Sequence, residues 1–457
     1  MTNAAENIAP RLAHLTRTTA LETVAQAATL LFDNGQTTER TVLAAERLGR
    51  ALGIPVTLHP RWGELAVHVD GTPFTEIVRA TPLGVDMSKV LAATTIVDHV
   101  CDGTLPPEAA RPALIQLERQ PPVSTLLFAI FAAVGAAALG VIFGALDPVS
   151  LLLIALSAGG ATLIRRWLAT LSRSPFLQPL CAAFVAGLVG AAAIRLELTD
   201  AQRLIALCPC MVLVPGPHIL NGAIDLVRTR IALGISRLTY AGLIVLMICA
   251  GLLLGLAAGG ASLPPGGTSA PVPLAADVIA AGCAVAAFGT FFSIPWRLLP
   301  FPIAVGMVAH AARWALIELA GAHVAAGALV ACVLAGIVVT PVADRRHLPF
   351  AALGFSAVVS MMPGLFLFRA AGALVALVAQ GERAPTDLLA SLVANGATAF
   401  LIILAMTFGL ILPRMLFEQF LPPPSRHPQP AESTRSERFS KTTGAPRGSK
   451  PATAISS

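Results

Sequence analysis

The 457-residue sequence predicts a polytopic α-helical membrane protein, with ten transmembrane helices as a 5+5 inverted repeat preceded by a small α+β cytoplasmic domain. Three observations carry that prediction. The chain is 55% hydrophobic and only 12% charged, with a mean hydropathy of +0.76, whereas an average soluble domain is roughly a quarter charged. Apolar stretches of about 18–25 residues recur from Val123 to Leu412, long enough for helices to cross a hydrocarbon core of roughly 30 Å. Proline-glycine pairs at Pro215-Gly216 and Pro363-Gly364 interrupt two of these stretches at corresponding places. With aromatic residues at 5% and no alternating strand pattern, the spans read as closely packed helices and not as a β-barrel.

Residues 1–120 contain no uninterrupted apolar span and read as the soluble domain. MTNAAENIAPRLAHL lacks the apolar core of a secretory signal, which places the amino terminus in the cytoplasm. Arg11 to Gly35 reads as a helix stopped at Asn34-Gly35, and Thr37 or Thr38 can cap a second one. The period then changes to two around the turn residues Pro60, Gly63 and Asp70-Gly71, as in short antiparallel strands. Ser88 to Cys101 and Pro106 to Arg119 return to a helical pattern. A membrane-anchored hydrolase or a sensor is the alternative use of such a domain, but its His59, Glu64, His68, Asp86 and Ser88 form no nucleophile elbow, zinc spacing or phosphate loop, and polar residues on strands and caps are their ordinary explanation. The expectation is no enzyme, no cofactor and no metal. Cys208-Pro-Cys210 reads as a pair of buried structural thiols, and the odd total of seven cysteines gives no secreted disulfide framework.

The ten expected spans are 123–145, 149–164, 175–194, 204–224, 238–258, 274–294, 299–320, 324–341, 349–380 and 388–412, the ninth interrupted by Pro349 and Pro363. They divide into a first membrane half, 121–258, an external linker, 259–273, and a second half, 274–412, with a disordered basic cytoplasmic tail, 413–457. Arginine bias orients them. Arg165, Arg166, Arg173, Arg228, Arg230, Arg237, Arg297, Arg345, Arg346 and Arg414 fall on one side, and only Arg195, Arg203 and Arg383 on the other, which puts both termini inside a bacterial cytoplasmic (inner) membrane.

Pro215 lies 92 residues after the start of the first span and Pro363 lies 89 after the start of the sixth. Five spans is an odd number, so the second copy runs oppositely through the bilayer, the plan of many secondary transporters. Helices broken near the midplane free backbone groups that can bind a polar solute. After the first break, His218, Asn221, Asp225 and Arg228 stand at offsets 0, 3, 7 and 10, which at about 100° per residue confines them to an arc of roughly 80°. Arg369 stands six residues past Pro363, as Asn221 does past Pro215. Candidate substrate-binding residues are therefore Pro215, Gly216, His218, Asn221, Asp225, Pro363, Gly364 and Arg369. Candidate coupling or relay residues are Asp225, Arg228, His310, Arg313 and Glu318. Each has a plainer reading: Asp225 and Arg228 as interfacial charges or an ion pair, His218 as a helix-packing donor, Arg313 and Glu318 as side chains reaching for opposite interfaces.

VPGPHILNGAIDLVRTRIALGISRL resembles the Pro-Gly and downstream Asp/Arg region of the threonine/serine exporter family, and LLFDNGQTTERTVLAAERLGRALGI resembles its amino-terminal stretch. RRHLPFAALGFSAVVSMMPGLFLFRAAGAL is similar to the family's second half, with Phe368-Arg369 where a Tyr-Arg pair is more typical. The resemblance implies export of threonine, serine or similar small amino acids driven by the proton motive force, and a two-component relative makes a succinate-like dicarboxylate the alternative substrate. For a zwitterion, Arg369 would hold the carboxylate and Asp225 with Asn221 the ammonium; a dicarboxylate would enlist Arg313 or Arg228 beside Arg369. No phosphate-binding loop for ATP is present, which points to secondary transport. The expected partners are a small-molecule substrate, protons and the lipid bilayer, with no nucleic acid; a homo-oligomer is left open.

Overall fold

The computed structural model of the chain describes residues 2–121, 123–172, 174–263, 271–346, 348 and 350–420. The amino-terminal part begins with α1 (Thr2–Asp33), which stops where Gly35 takes a left-handed φ of +94°. Thr37 then turns the chain into α2 (Thr38–Ala51), whose inward face carries Thr38, Thr41, Ala45 and Leu48. Next come β1 (Val56–Arg61), β2 (Glu64–Val69) and β3 (Thr75–Arg79), an antiparallel meander in which Val56 pairs with Val69 and Glu64 with Arg79. Asp86 caps α3 (Met87–Cys101) by accepting from the Ser88 and Lys89 amides, and a proline at the first turn opens α4 (Pro107–Glu118). Phe32, Leu48, Leu65, Val67, Val90 and Leu114 fill the core between these elements.

The apolar remainder forms α5 (Thr125–Ile142), α6 (Pro148–Leu171), α7 (Leu177–Arg195), α8 (Gln202–Met211), α9 (Gly216–Val227) and α10 (Ile231–Ala258). It continues through α11 (Leu274–Phe291), α12 (Pro300–Glu318), α13 (Val324–Arg345), α14 (Phe350–Val358), a 3-10 turn (Val359–Met361), α15 (Gly364–Gln380) and α16 (Thr386–Phe420). Among the described residues, nine helices are long and apolar enough to cross a membrane, or ten if the bent pair α8 and α9 counts as one span. This is a multi-pass helical membrane protein. Both proline-glycine pairs do break their spans: α8 and α9 meet at 60° across Pro215, and the 3-10 turn precedes Pro363.

Some boundaries differ from the sequence expectation. α10 begins at Ile231 and not at 238, because Arg237 finds buried partners that let the helix start two turns earlier. α16 runs on to Phe420, so residues 413–420 are helical and do not belong to a tail. The rest of the expected tail, residues 264–270 of the expected linker, and the interruption expected at Pro349 lie outside the described residues. All seven cysteines are free, with Cys208 and Cys210 buried in α8.

Small residues let these helices touch backbone to backbone. A Cβ on Gly251 of α10 would stand 2.1 Å from the Leu180 carbonyl oxygen of α7, and one on Gly255 would stand 2.2 Å from that of Phe184. The first helix of each half packs against the other: a Cβ on Gly135 of α5 would meet Ala287 of α11 at 2.9 Å, and Phe128 sits edge-on to Phe291 at 4.5 Å. Gly255→Leu must push α7 and α10 apart, at a cost of about 1–3 kcal/mol or more. It should lower the melting temperature of the detergent-solubilised protein by several degrees, whereas Gly242→Leu, where a side chain meets open space, should leave it unchanged.

Candidate functional site

The two breaks touch. A Cβ on Gly216 would stand 2.8 Å from the Met362 methyl, and one on Gly364 would stand 3.2 Å from Met211 and 3.5 Å from Val214. Around this crossing lies a small cavity of about 10 Å³, room for a water molecule at most in this conformation, lined by Leu139, Met211, Val214, Phe288, Met362 and Gly364 together with Ser360. The roomier surface groove beside α3 and α4 is lined by residues such as Leu91, Thr95 and Gln116, contains no charged constellation and lies away from the breaks.

From the first break, α9 runs toward the amino-terminal domain, and its polar stripe is the seam on which that domain sits. His218 packs edge-on against Tyr240 at 5.2 Å, within hydrogen-bonding reach of the Leu83 backbone. Asn221 donates through Nδ2 to the Gly35 carbonyl at 3.2 Å. Thr38 donates through Oγ1 to Asp225 Oδ2 at 2.9 Å, and Arg228 pairs with Glu39 at 3.2 Å. Asn221, Asp225 and Arg228 thus all meet the Gly35–Glu39 turn between α1 and α2, while His218 faces Tyr240 and Leu83.

Arg237, which the sequence reading left as a loop arginine, is the largest fully buried side chain among the described residues. Its Nε lies 3.2 Å from Asp225 Oδ2, its Nη2 donates to Thr38 Oγ1 at 3.4 Å, and its guanidinium covers the Phe32 ring at 4.9 Å. Both partners of the Asp225 pair are 1% exposed. Thr229, at a left-handed φ of 60°, makes the tight reversal that brings α10 and Arg237 back to Asp225. The domain also reaches the second half: Arg40 pairs with Asp344, Glu39 with Arg414 at 3.8 Å, and the Met87 amide donates to the Phe292 carbonyl at 2.7 Å. Residues 1–414 accordingly form one compact unit. At the end of α1, Asp33 accepts from the Thr81 amide at 2.7 Å; partial burial raises its carboxyl to about 6 against the pull of that bond.

From the second break, α15 runs the other way, so that Gly372 lies beside Leu263 on the far side. Arg369 is half-buried there, with Phe366 at 6.0 Å, Arg203 of α8 as its charged neighbour, and no hydrogen bond at its Nε. The expectation that Arg369 would meet Asn221 and Asp225 is not what the structure brings together. By helical rise, Asp225 lies about 14 Å from the start of α9 in one direction and Arg369 about 8 Å from the start of α15 in the other.

His310 in α12 is fully buried: its Nδ1 lies 3.0 Å from Asp277 Oδ2 and its Nε2 lies 2.8 Å from Ser360 Oγ. Neither partner was picked out from sequence. Arg313 and Glu318 lie farther along α12, the stem of Arg313 against Gly327 of α13. In the amino-terminal domain, His68 is held by Thr75, Glu64 pairs with Arg61, and Asp86 caps α3, so these residues serve strand and helix ends.

A bundle of apolar helices opened by two touching proline-glycine breaks defines a multi-pass membrane transporter. A threonine/serine exporter family model, ThrE, matches residues 22–259, and a second, described as Threonine/Serine exporter, ThrE, matches residues 277–416. The chain belongs to the threonine/serine exporter family, and membership implies transport of a small molecule and not catalysis. No curated protein and no solved structure matches it.

Removing one member of a buried ion pair costs about 3–5 kcal/mol, because the other is left charged and unpaired. Asp225→Asn and Arg237→Gln should therefore each loosen the domain from its seam. Hydrogen exchange at Gln36, Thr37 and Thr38 should speed up in both variants while the strands stay protected. Unchanged protection of that turn would show that Asp225 and Arg237 do not hold it.

Proposed function

We propose that the chain is a secondary transporter that exports small amino acids such as threonine and serine across the bacterial inner membrane by proton antiport, with both termini cytoplasmic and the two membrane halves related as a 5+5 inverted repeat. The contact of the two breaks around one cavity carries this reading. The start of α15 offers amide donors to a carboxylate, while α9, whose Gly216, His218 and Ile219 amides already donate to Val214 and Pro215, adds only its positive dipole end; the ends of α8 and of the 3-10 turn offer carbonyls to an ammonium group. A zwitterion matches that pairing. Arg369, with its unpaired Nε, attracts the carboxylate from the far side of the breaks.

In this conformation the amino-terminal domain closes the cytoplasmic end, and export begins when its seam parts. Asn221 Oδ1 makes no hydrogen bond there, while Asp225 Oδ1 faces Arg230 Nη1 at 3.7 Å, so one oxygen of the closed seam is left for a substrate donor. Opening releases Asn221 from Gly35 and Asp225 from Thr38, while Asp225 stays paired with Arg237; the vacated Asn221 oxygen and the Thr38-facing side of the carboxylate then receive the ammonium group on its way to the cavity. The proximity of Arg369 to Arg203 favours a second reading, a dicarboxylate, for which two cations serve better than one.

Flux of labelled threonine, serine and succinate in oriented vesicles, with and without a proton ionophore, separates the two. Threonine and serine flux abolished by the ionophore, with succinate idle, is the expected result; succinate flux alone supports the dicarboxylate. Gly364→Leu fills the cavity at the break and should stop flux without preventing membrane insertion. Normal transport by this variant would move the substrate site elsewhere.

A further inference from the structure

We infer that Asp277, His310 and Ser360 form the proton-carrying element of this transporter, linking the far side of the membrane region to the cavity at the helix breaks. The inference rests on the proposed proton antiport and names where the proton is held. Asp277 stands in the first turn of α11, at the far end. His310 is placed deeper in α12, and Ser360 lies in the 3-10 turn at the break, where it lines the cavity. The three side chains are buried, and the imidazole bridges the two oxygens at 3.0 and 2.8 Å. A polar chain in an apolar bundle is costly, and its retention at this place needs a use.

The chain also breaks the pseudo-symmetry of the two halves. Arg166 precedes Arg313 by 147 residues and Pro215 precedes Pro363 by 148. At an offset of 147 the positions matching Asp277, His310 and Ser360 are Ile130, Leu163 and Leu213, and at 148 they are Ala129, Thr162 and Val212, so neither register repeats the carboxylate or the imidazole. Backbone architecture alone therefore does not call for these polar groups, since the first half builds the same kind of break without them.

Charge bookkeeping is simple. With a proton loaded, His310 is an imidazolium whose Nδ1–H donates to the Asp277 carboxylate and whose Nε2–H donates to Ser360 Oγ; the trio is then net neutral. On release, the Nε2 proton passes to Ser360 Oγ while the Ser360 hydroxyl proton goes to the cavity. That leaves neutral imidazole beside the carboxylate, a net charge of minus one. To reload, a proton from the far side binds the Asp277 carboxylate, the neutral His310 ring turns its bare nitrogen toward Asp277, and that nitrogen takes the proton, which restores the imidazolium and the carboxylate. Only N–H and O–H bonds change, and one proton moves per cycle. From its own helix, Arg313 acts on both His310 and Asp277, and Glu318 lies beyond it. From α13, Asp344 and Arg345 stand at the opposite, domain-side end, and the Cys332 Cβ lies against Gly409 of α16. From α11, Asp277 is the facing acid, while Cys283 is exposed.

The test uses the full chain in proteoliposomes and compares net threonine flux driven by a pH gradient with exchange of labelled for unlabelled threonine at equal pH. His310→Gln keeps a polar side chain but cannot carry a proton, so gradient-driven flux should fall by about a hundredfold while exchange persists. Ser360→Ala removes the cavity-side step without touching the Asp277 contact and should lower driven flux more than exchange; it also covers the case in which the His310 variant fails to fold. If wild-type flux ignores the pH gradient, proton antiport itself is wrong and the relay falls with it. If wild-type flux is coupled and both variants are coupled equally well, the relay is overturned and the transport reading stands. Equal loss of driven flux and exchange in both variants would also overturn the relay, by showing a structural role.

Discussion

The buried contact of Asp225 with Arg237 and Thr38 is the constraint on which the arrangement of this molecule depends. An aspartate inside an apolar bundle is tolerable only with a cation and donors around it. Arg237 supplies the cation from the same membrane half, whereas Thr38 comes from a domain 187 residues away in sequence. The ion pair is thus intrinsic to the bundle, and its hydrogen bonding is completed only when the amino-terminal domain is seated. Glu39 with Arg228, Gly35 with Asn221 and Arg40 with Asp344 then follow from the same docking.

That dependence gives the two breaks different work. The first sends α9 toward the domain, so the helix starting in the cavity ends in the seam; movement at either end is felt at the other through twelve residues of helix. The second sends α15 away from the domain, toward Arg369 and the far side. His310 and its partners stand on the far approach to the same crossing. A substrate path from seam to cavity and a proton path from the far end to cavity would meet at Gly216, Ser360 and Gly364, as an antiporter requires.

Much of this was legible in the sequence. Period and turn residues marked the helices and short antiparallel strands of the first 120 residues, because capping, glycine turns and alternation are local effects, although Pro60, read as a turn residue, pairs with Leu65 inside β1 and α1 starts at Thr2 and not at Arg11. The offsets of His218, Asn221, Asp225 and Arg228 revealed one polar face, because helix geometry is also local. The occupant of that face was not legible, since Gly35, Thr38 and Glu39 read equally well as an ordinary helix start. Arg237 was hidden by its place among loop arginines; only the early start of α10 shows that it is interior. Asp277 and Ser360 were missed because one resembles an interfacial acid and the other a lone serine, and they meet His310 only across 33 and 50 residues of chain. The clue that was available is their absence from the matching places in the first half.

The central claim is that the amino-terminal domain must leave its seam for substrate to pass, and a reversible tether tests it most directly. In a cysteine-free background, Arg40→Cys and Asp344→Cys place thiols on a solvent-accessible pair whose loss as an ion pair costs little, about 0–1 kcal/mol. A short reducible bis-thiosulfonate bridging them pins the domain to α13. Threonine export should stop when the bridge forms and return when it is reduced; export at the full rate with the bridge intact would contradict the gate.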